Sequence, residues 1–252
     1  MSGHSKWSSI KRKKAAADAK RGAVFSRVIK EISVAARLGG SDPDTNPRLR
    51  LAISQARAAN MPQANIERAI KKGTGDLAGV SYESAIYEGY GPGGAAILME
   101  VLTDNKKRTV ADIRHLMTKY GGNLGGSGSV AWQFENRGTL SLPVEGVAEE
   151  ELFETAVNYG ADEMEREDTQ FVITVPAEKV YELQAVLEAR NFPVDAVEVG
   201  LEPASSVRVT GSDARRLLQL LDALEELEDI QKVYSNCDIL EEELAAFNQS
   251  SE

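Results

Sequence analysis

Ten cations fall between Lys6 and Arg37: Lys6, Lys11, Arg12, Lys13, Lys14, Lys20, Arg21, Arg27, Lys30 and Arg37. Only Asp18 and Glu31 oppose them, and Trp7 stands at the head of the stretch. Ammonium and guanidinium groups at this density are the chemistry of phosphate binding, in which each cation neutralises a phosphate and releases a condensed counterion. Downstream, Arg48, Arg50, Arg57, Arg68, Lys71 and Lys72 continue the series. Residues 1–76 hold 16 Lys and Arg against 6 Asp and Glu, whereas residues 77–252 hold 13 against 33. A formal net charge of −10 therefore hides a basic head on an acidic body. Such a split points to a polyanionic partner, with the acidic body repelling phosphates elsewhere. A charge run is usually no more than a solvated helix face. Here the density at Lys11–Lys14 and the companion cations further on favour binding.

Other chemistries lack their residues. Gly89-Tyr90-Gly91-Pro92-Gly93-Gly94 satisfies G-x-G-x-x-G, but a strand-like AAILMEV follows where the dinucleotide fingerprint needs a helix N-terminus. Asp42, Asp44 and Asn46 open like a calcium loop, yet Pro47 takes the glycine position and Ile53 that of the bidentate glutamate. The run GGNLGGSGS lacks the Lys-Ser/Thr ending of a phosphate-binding loop and reads as a flexible connector. His115 reads as a helix-surface or border residue, and one cysteine, Cys237, with two histidines leaves little material for a metal centre. No nucleophile and base stand together in a motif. The expectation is a protein that is no enzyme and needs no cofactor or metal. With no signal peptide and no apolar run near the ~20 residues that span a bilayer, the expected location is the cytoplasm.

These residues need elements to position them. After a polar, basic arm over 1–22, Phe25, Val28, Ile29, Ile32 and Ala36 recur at helical spacing up to Gly39-Gly40. Asn46 and Pro47 mark the start of a second helix with Leu49, Ala52, Ile53 and Ala56 inward. A third runs from near Pro62 to Gly73 with Ile66, Ala69 and Ile70 inward. Strands are expected at 82–88 and 95–103, a helix capped by Asn105 over 106–120, and a further strand over 130–135. Residues 138–203 spell β-α-β-β-α-β, the split βαβ order of ferredoxin-like domains. The tail adds a strand at 206–209, a helix over 213–227 capped by Ser212, and a strand at 231–235.

The predicted fold class is α+β: a three-helix domain with a basic arm, followed by two ferredoxin-like α/β domains, one inserted in the other. The domain map is 1–77, then 78–136 joined with 204–246, with 137–203 as the insert.

MSGHSKW at the start, DPDTNPRLRLAISQARAANMPQANIERAIKKG over 42–73, YEGYGPGGAAILMEVLTDNKKRTVADIRH over 87–115, GGNLGGSGSVAWQF over 121–134 and EDIQKVYSN over 228–236 resemble the YebC/PmpR family. The likeness covers nearly the whole chain. It implies three domains and no catalytic activity. Bacterial members carry the label of DNA-binding transcriptional regulators. The family also includes the mitochondrial translational activator of cytochrome oxidase, which points to the ribosome.

The expected partner is therefore DNA or ribosomal RNA, gripped by the basic region, with the ribosome as a further partner and no membrane. A protein–protein scaffold is the third reading. The residues expected to touch nucleic acid are Lys6, Trp7, Lys11, Arg12, Lys13, Lys14, Lys20, Arg21, Arg27, Lys30, Arg48, Arg50, Arg57, Arg68, Lys71 and Lys72. The order of elements leaves the oligomeric state open.

Overall fold

The computed structural model describes residues 21–78, 81–167 and 169–249. By contacts the chain divides into two units, one made of residues up to Gln133 and from Ser205 onward, the other of Phe134–Ala204.

The first unit opens with three helices, α1 (Arg21–Gly39), α2 (Pro47–Ala58) and α3 (Gln63–Thr74). Asn46 punctuates them. Its Oδ1 accepts from Leu49 N at 3.1 Å, capping α2, while its Nδ2 donates to the carbonyls of Ala35 and Gly40 at the end of α1. Val28, Ile32, Leu49, Ala52, Ala56, Ile66 and Ala69 close a small core. Each of the fully buried Ile and Leu side chains among them contributes roughly 1.5–3 kcal/mol. Gly73 lets α3 approach α1, since a Cβ there would stand 2.3 Å from the Ser33 carbonyl.

The same unit continues with strands β1 (Glu83–Tyr90) and β2 (Ala96–Thr103), helix α4 (Lys106–Lys119) and the short β3 (Asn123–Leu124). Its sheet is completed from the far end of the chain, in the order β3-β1-β2-β9, where β9 is Ile230–Ser235. All pairings are antiparallel. Ile97, Met99 and Val101 of β2 point to one face and meet Ile113 and Met117 of α4 and the leucines of α7 (Gly211–Glu226). Their neighbours Leu98 and Leu102 point the other way and are also buried. Helix α1 lies against β2. Two further strands, β8 (Val207–Arg208) and β10 (Cys237–Asp238), pair in parallel, and α8 (Glu241–Gln249) packs on α7.

Asn236, fully buried, joins three distant segments. Its Oδ1 accepts from Ala96 N at 2.7 Å, its Nδ2 donates to Gln133 Oε1 at 3.0 Å, and its carbonyl accepts from Val207 N at 2.8 Å.

The second unit contains β4 (Phe134–Pro143), α5 (Glu149–Asn158), β5 (Glu163–Arg166), β6 (Gln170–Pro176), α6 (Val180–Ala189) and β7 (Ala196–Pro203). The sheet order β5-β6-β4-β7, antiparallel throughout, is that of the split βαβ motif. Leu140, Leu142, Leu152, Phe171, Ile173, Leu183 and Leu187 form its own core.

Three local expectations change. Residues 130–133 are no strand: Ala131–Gln133 is a 3-10 turn and Phe134 opens β4 in the other sheet. The glycine-rich run is no loose connector, because β3 lies within it and pairs with β1. Helix α7 begins one residue before Ser212, after Thr210, without a side-chain cap.

Candidate nucleic-acid interface

The expected contacts divide by where the structure puts them. Lys6, Trp7, Lys11, Arg12, Lys13, Lys14 and Lys20 lie outside the described residues, as does the side chain of Arg21. The rest sit on the three helices.

Arg68, Lys71 and Lys72 are three and four residues apart on α3, opposite buried Ile66 and Ala69, and all are exposed. Lys71 and Lys72 occupy the last turn, where the helix dipole favours cations. On α2, Arg50 and Arg57 are seven residues apart and so share one exposed flank. Arg57, Arg68, Lys71 and Lys72 have no ion pair among the described residues, so their charge faces solvent. Arg50 reaches the Asp44 carbonyl at 3.4 Å. Arg48 is paired with Glu31, with Nε and Nη2 on its two carboxylate oxygens at 2.6 and 3.1 Å.

Two expected contacts turn inward. Lys30 is 8% exposed; its ammonium donates to Asp229 Oδ1 at 2.6 Å and to the Glu228 carbonyl at 3.0 Å. A phosphate cannot reach it without breaking that pair. Arg27 is half-buried, its guanidinium pulled down by burial while Glu225 acts in the opposite direction. The partner of Lys30 is itself heavily engaged. Asp229 also receives Thr103 and Thr109 hydroxyls at 3.1 and 2.7 Å and Arg108 Nη2 at 2.9 Å. Burial alone would raise its carboxyl; the bonds from Lys30, Thr109 and Arg108 overcome this and hold it well below the carboxylate range. A cleft of about 350 Å³ opens beside it, lined by Tyr82, Asp104, Arg108 and Asp112 among others. Both cations that line it, Lys30 and Arg108, are already engaged, Lys30 by Asp229 and Arg108 by Asp104 and Asp229.

Cations also occur where the acidic average of residues 77–252 conceals them. Lys107, Arg114 and Lys119 on α4 and Arg215 on α7 are exposed on the helical layer of the first sheet. The signal was present in the local run KKRTVADIRHLMTK, with five Lys and Arg to one Asp.

Cys237 is fully buried, and burial pushes its thiol up to about 11, away from the reactive thiolate. Among the described residues no cluster of His, Cys, Asp and Glu is arranged to hold a metal ion, and no helix is long and apolar enough to cross a membrane.

Residues 5–76 match the family description "TACO1/YebC protein N-terminal domain", and residues 82–237 match "TACO1/YebC second and third domain". A probable transcriptional regulatory protein of Geobacter sulfurreducens is 52% identical, covering 97% of this chain and 98% of that one. One from Citrifermentans bemidjiense is 50% identical over the same shares, and one from Chlorobaculum parvum is 50% identical over 99% and 100%. The crystal structure of a conserved hypothetical protein, Aq1575, from Aquifex aeolicus superposes with a TM-score of 0.76 at 47% identity, covering 89% of this chain and 93% of that one.

Proposed function

Because the chain belongs to the TACO1/YebC family, we propose that it is a cytoplasmic, non-enzymatic regulator of gene expression that binds nucleic acid through its basic arm and three helices. The observation that carries this reading is the set of solvent-facing cations Arg57, Arg68, Lys71 and Lys72 on α2 and α3, in the part of the chain where cations outnumber carboxylates 16 to 6. The arm residues Lys6, Lys11, Arg12, Lys13, Lys14, Lys20 and Arg21 extend the same charge, with Trp7 beside them as an aromatic. Arg48 and Arg50 join as partly engaged neighbours, and Lys30 is set aside as a structural residue. The relatives' names make DNA the first ligand to test.

A second reading, binding of ribosomal RNA by a translation factor, draws support from the same helices. Base readout in a major groove wants Asn, Gln and Arg aligned on one helix face. Gln55 and Gln63 stand on different helices, Asn65 is only half-exposed, and Gln63 is bonded to Glu67 at 3.2 Å. Cations without a reading face suit a ligand recognised by backbone and shape.

Competition at fixed salt separates the readings: a labelled promoter fragment is challenged with random duplex and with structured ribosomal RNA. Random duplex competing about a thousandfold worse than the promoter supports specific transcriptional control. Near-equal competition by random duplex, with stronger competition by RNA, supports the ribosomal reading. No salt-sensitive binding to any of them would leave a protein scaffold and reject both.

A further inference from the structure

Trp132 is 74% exposed, although an indole is among the largest apolar surfaces a fold can bury. Its position is nevertheless tightly defined. The carboxylate of Glu88, itself 4% exposed, accepts three backbone N–H groups from the turn: Gly128 at 2.7 Å, Val130 at 2.7 Å and Ala131 at 2.8 Å. Burial would raise this carboxyl, and the three donors from Gly128, Val130 and Ala131 hold it below its ordinary value instead. Val130 is fully buried as an apolar anchor. Tyr90 donates its hydroxyl to the Ser129 carbonyl at 3.0 Å, and Gln133, the next residue after Trp132, is held by Asn236. A buried charge is expensive unless fully bonded. Here all its bonds go to the turn that carries an exposed tryptophan.

The indole edge is already satisfied. Trp132 Nε1–H donates to the Ser129 carbonyl at 3.2 Å, so the ring offers a face and needs no polar partner. Gly126 and Gly128 precede it in the chain without side chains, and a Cβ at either would meet nothing within 4 Å. Residues 121–134 contain no charged side chain, inside a segment that holds 33 acidic ones. A polyanion approaching this turn meets no carboxylate on it. A protein hot spot would be ringed by further apolar contacts. The run 121–129 that leads to this indole is glycine, serine and asparagine with a single leucine, a setting suited to a flat, polar-edged ring.

We propose that Trp132 is a stacking platform for an unpaired nucleobase, held in place by Glu88 through the 128–131 turn. The inference rests on the nucleic-acid reading above and adds a ligand class to it: single-stranded or looped-out nucleotides, read by stacking rather than by charge. A rigid platform loses little freedom on binding, and base–aromatic stacking tolerates any sequence.

In the full-length chain the emission of Trp132 is taken as the difference between the parent and its Trp132→Phe variant, with Trp7 left in place. Three ligands are compared: a short single-stranded oligoadenylate, an abasic strand of equal length, and a fully paired duplex. Oligoadenylate should quench the emission and the abasic strand should bind without quenching. Trp132→Ala should weaken oligoadenylate by about ten- to a hundredfold, the range of one lost stack, and change the other two by less than about twofold. Trp132→Phe should recover part of the loss. Equal losses on all three ligands, or equal quenching by the abasic strand, would overturn the platform while leaving nucleic-acid binding standing. Unchanged affinities in Trp132→Ala would do the same and point to a protein partner for the indole. Failure of the parent chain to bind any of the three would reject both readings.

Discussion

Lys30 carries a lesson about single residues. By type and neighbourhood it belongs with the phosphate-binding cations, and nothing local distinguishes it from Arg27 or Lys20. What claims it is Asp229, 199 positions away. Removing one member of a buried pair strands the other, which costs roughly 3–5 kcal/mol. The two sides are unequal here. Asp229→Asn leaves the Lys30 ammonium without a counter-charge, whereas Lys30→Met leaves Asp229 with Arg108 and two threonine hydroxyls. Urea unfolding should therefore show a larger loss in Asp229→Asn, about 3 kcal/mol or more, than in Lys30→Met. Glu88 makes a pH prediction. Its carboxyl is held below the ordinary 4.5 in the folded chain. The stability it adds is thus complete above the unfolded value and is lost as pH falls through the lower, folded one. Glu88→Gln should be less stable than the parent at neutral pH. The gap should narrow as unfolding is followed to pH values below 4.5.

At the scale of elements, the three helices were legible because their signals are local. Asn46, Pro47 and the Gly39-Gly40 pair sit beside the ends they define, and the apolar spacing marks the inward faces. Helix α1 exceeds that reading because it is buried on two sides. Val28, Ile32 and Ala36 meet α2 and α3, while Lys30 and Val34, four apart, are buried on another face that periodicity toward one core does not reveal. Within the strand expected over 130–135, residues 130–133 failed for a related reason. Val, Trp and Phe favour a strand, but Glu88 captures the N–H groups of Val130 and Ala131 and bends the chain into a turn. A partner more than forty residues away leaves no mark in a local window. The outward row on α3 makes a prediction of its own. Replacing Arg68, Lys71 and Lys72 together by Ala should weaken duplex binding broadly across sequences. The slope of log affinity against log salt should flatten by about 0.9 per lost phosphate contact. Replacing Lys11, Arg12, Lys13 and Lys14 should act in the same way and further. An unchanged slope in both variants would remove these cations from the interface.

For the molecule as a whole, the β-α-β-β-α-β order of 138–203 is visible in sequence because each element follows the last without interruption. The first sheet was harder to read. Its edge strand β3 is two residues long, and β9 arrives from beyond the other unit. Residues 134–204 own a complete core and all four strands of their sheet. We therefore expect that fragment, produced alone, to melt cooperatively with native-like secondary structure by circular dichroism. A disordered spectrum would reject the three-part division into 1–77, 78–136 with 204–246, and 137–203.

Asn236 sets an order of events during synthesis. The chain leaves the first unit at Gln133 and returns at Ser205, and the side chain and carbonyl that fasten Gln133, Ala96 and Val207 together are made only near the C-terminus. Strand β9 and the leucines of α7 are equally late to emerge. A chain growing from its N-terminus must hold β1, β2 and α4 with an unfilled sheet edge while the whole of 134–204 is translated and free to fold. The unit that begins first is thus the one that finishes last, and β2, with its apolar residues on both faces, is the segment a nascent-chain chaperone would have reason to cover.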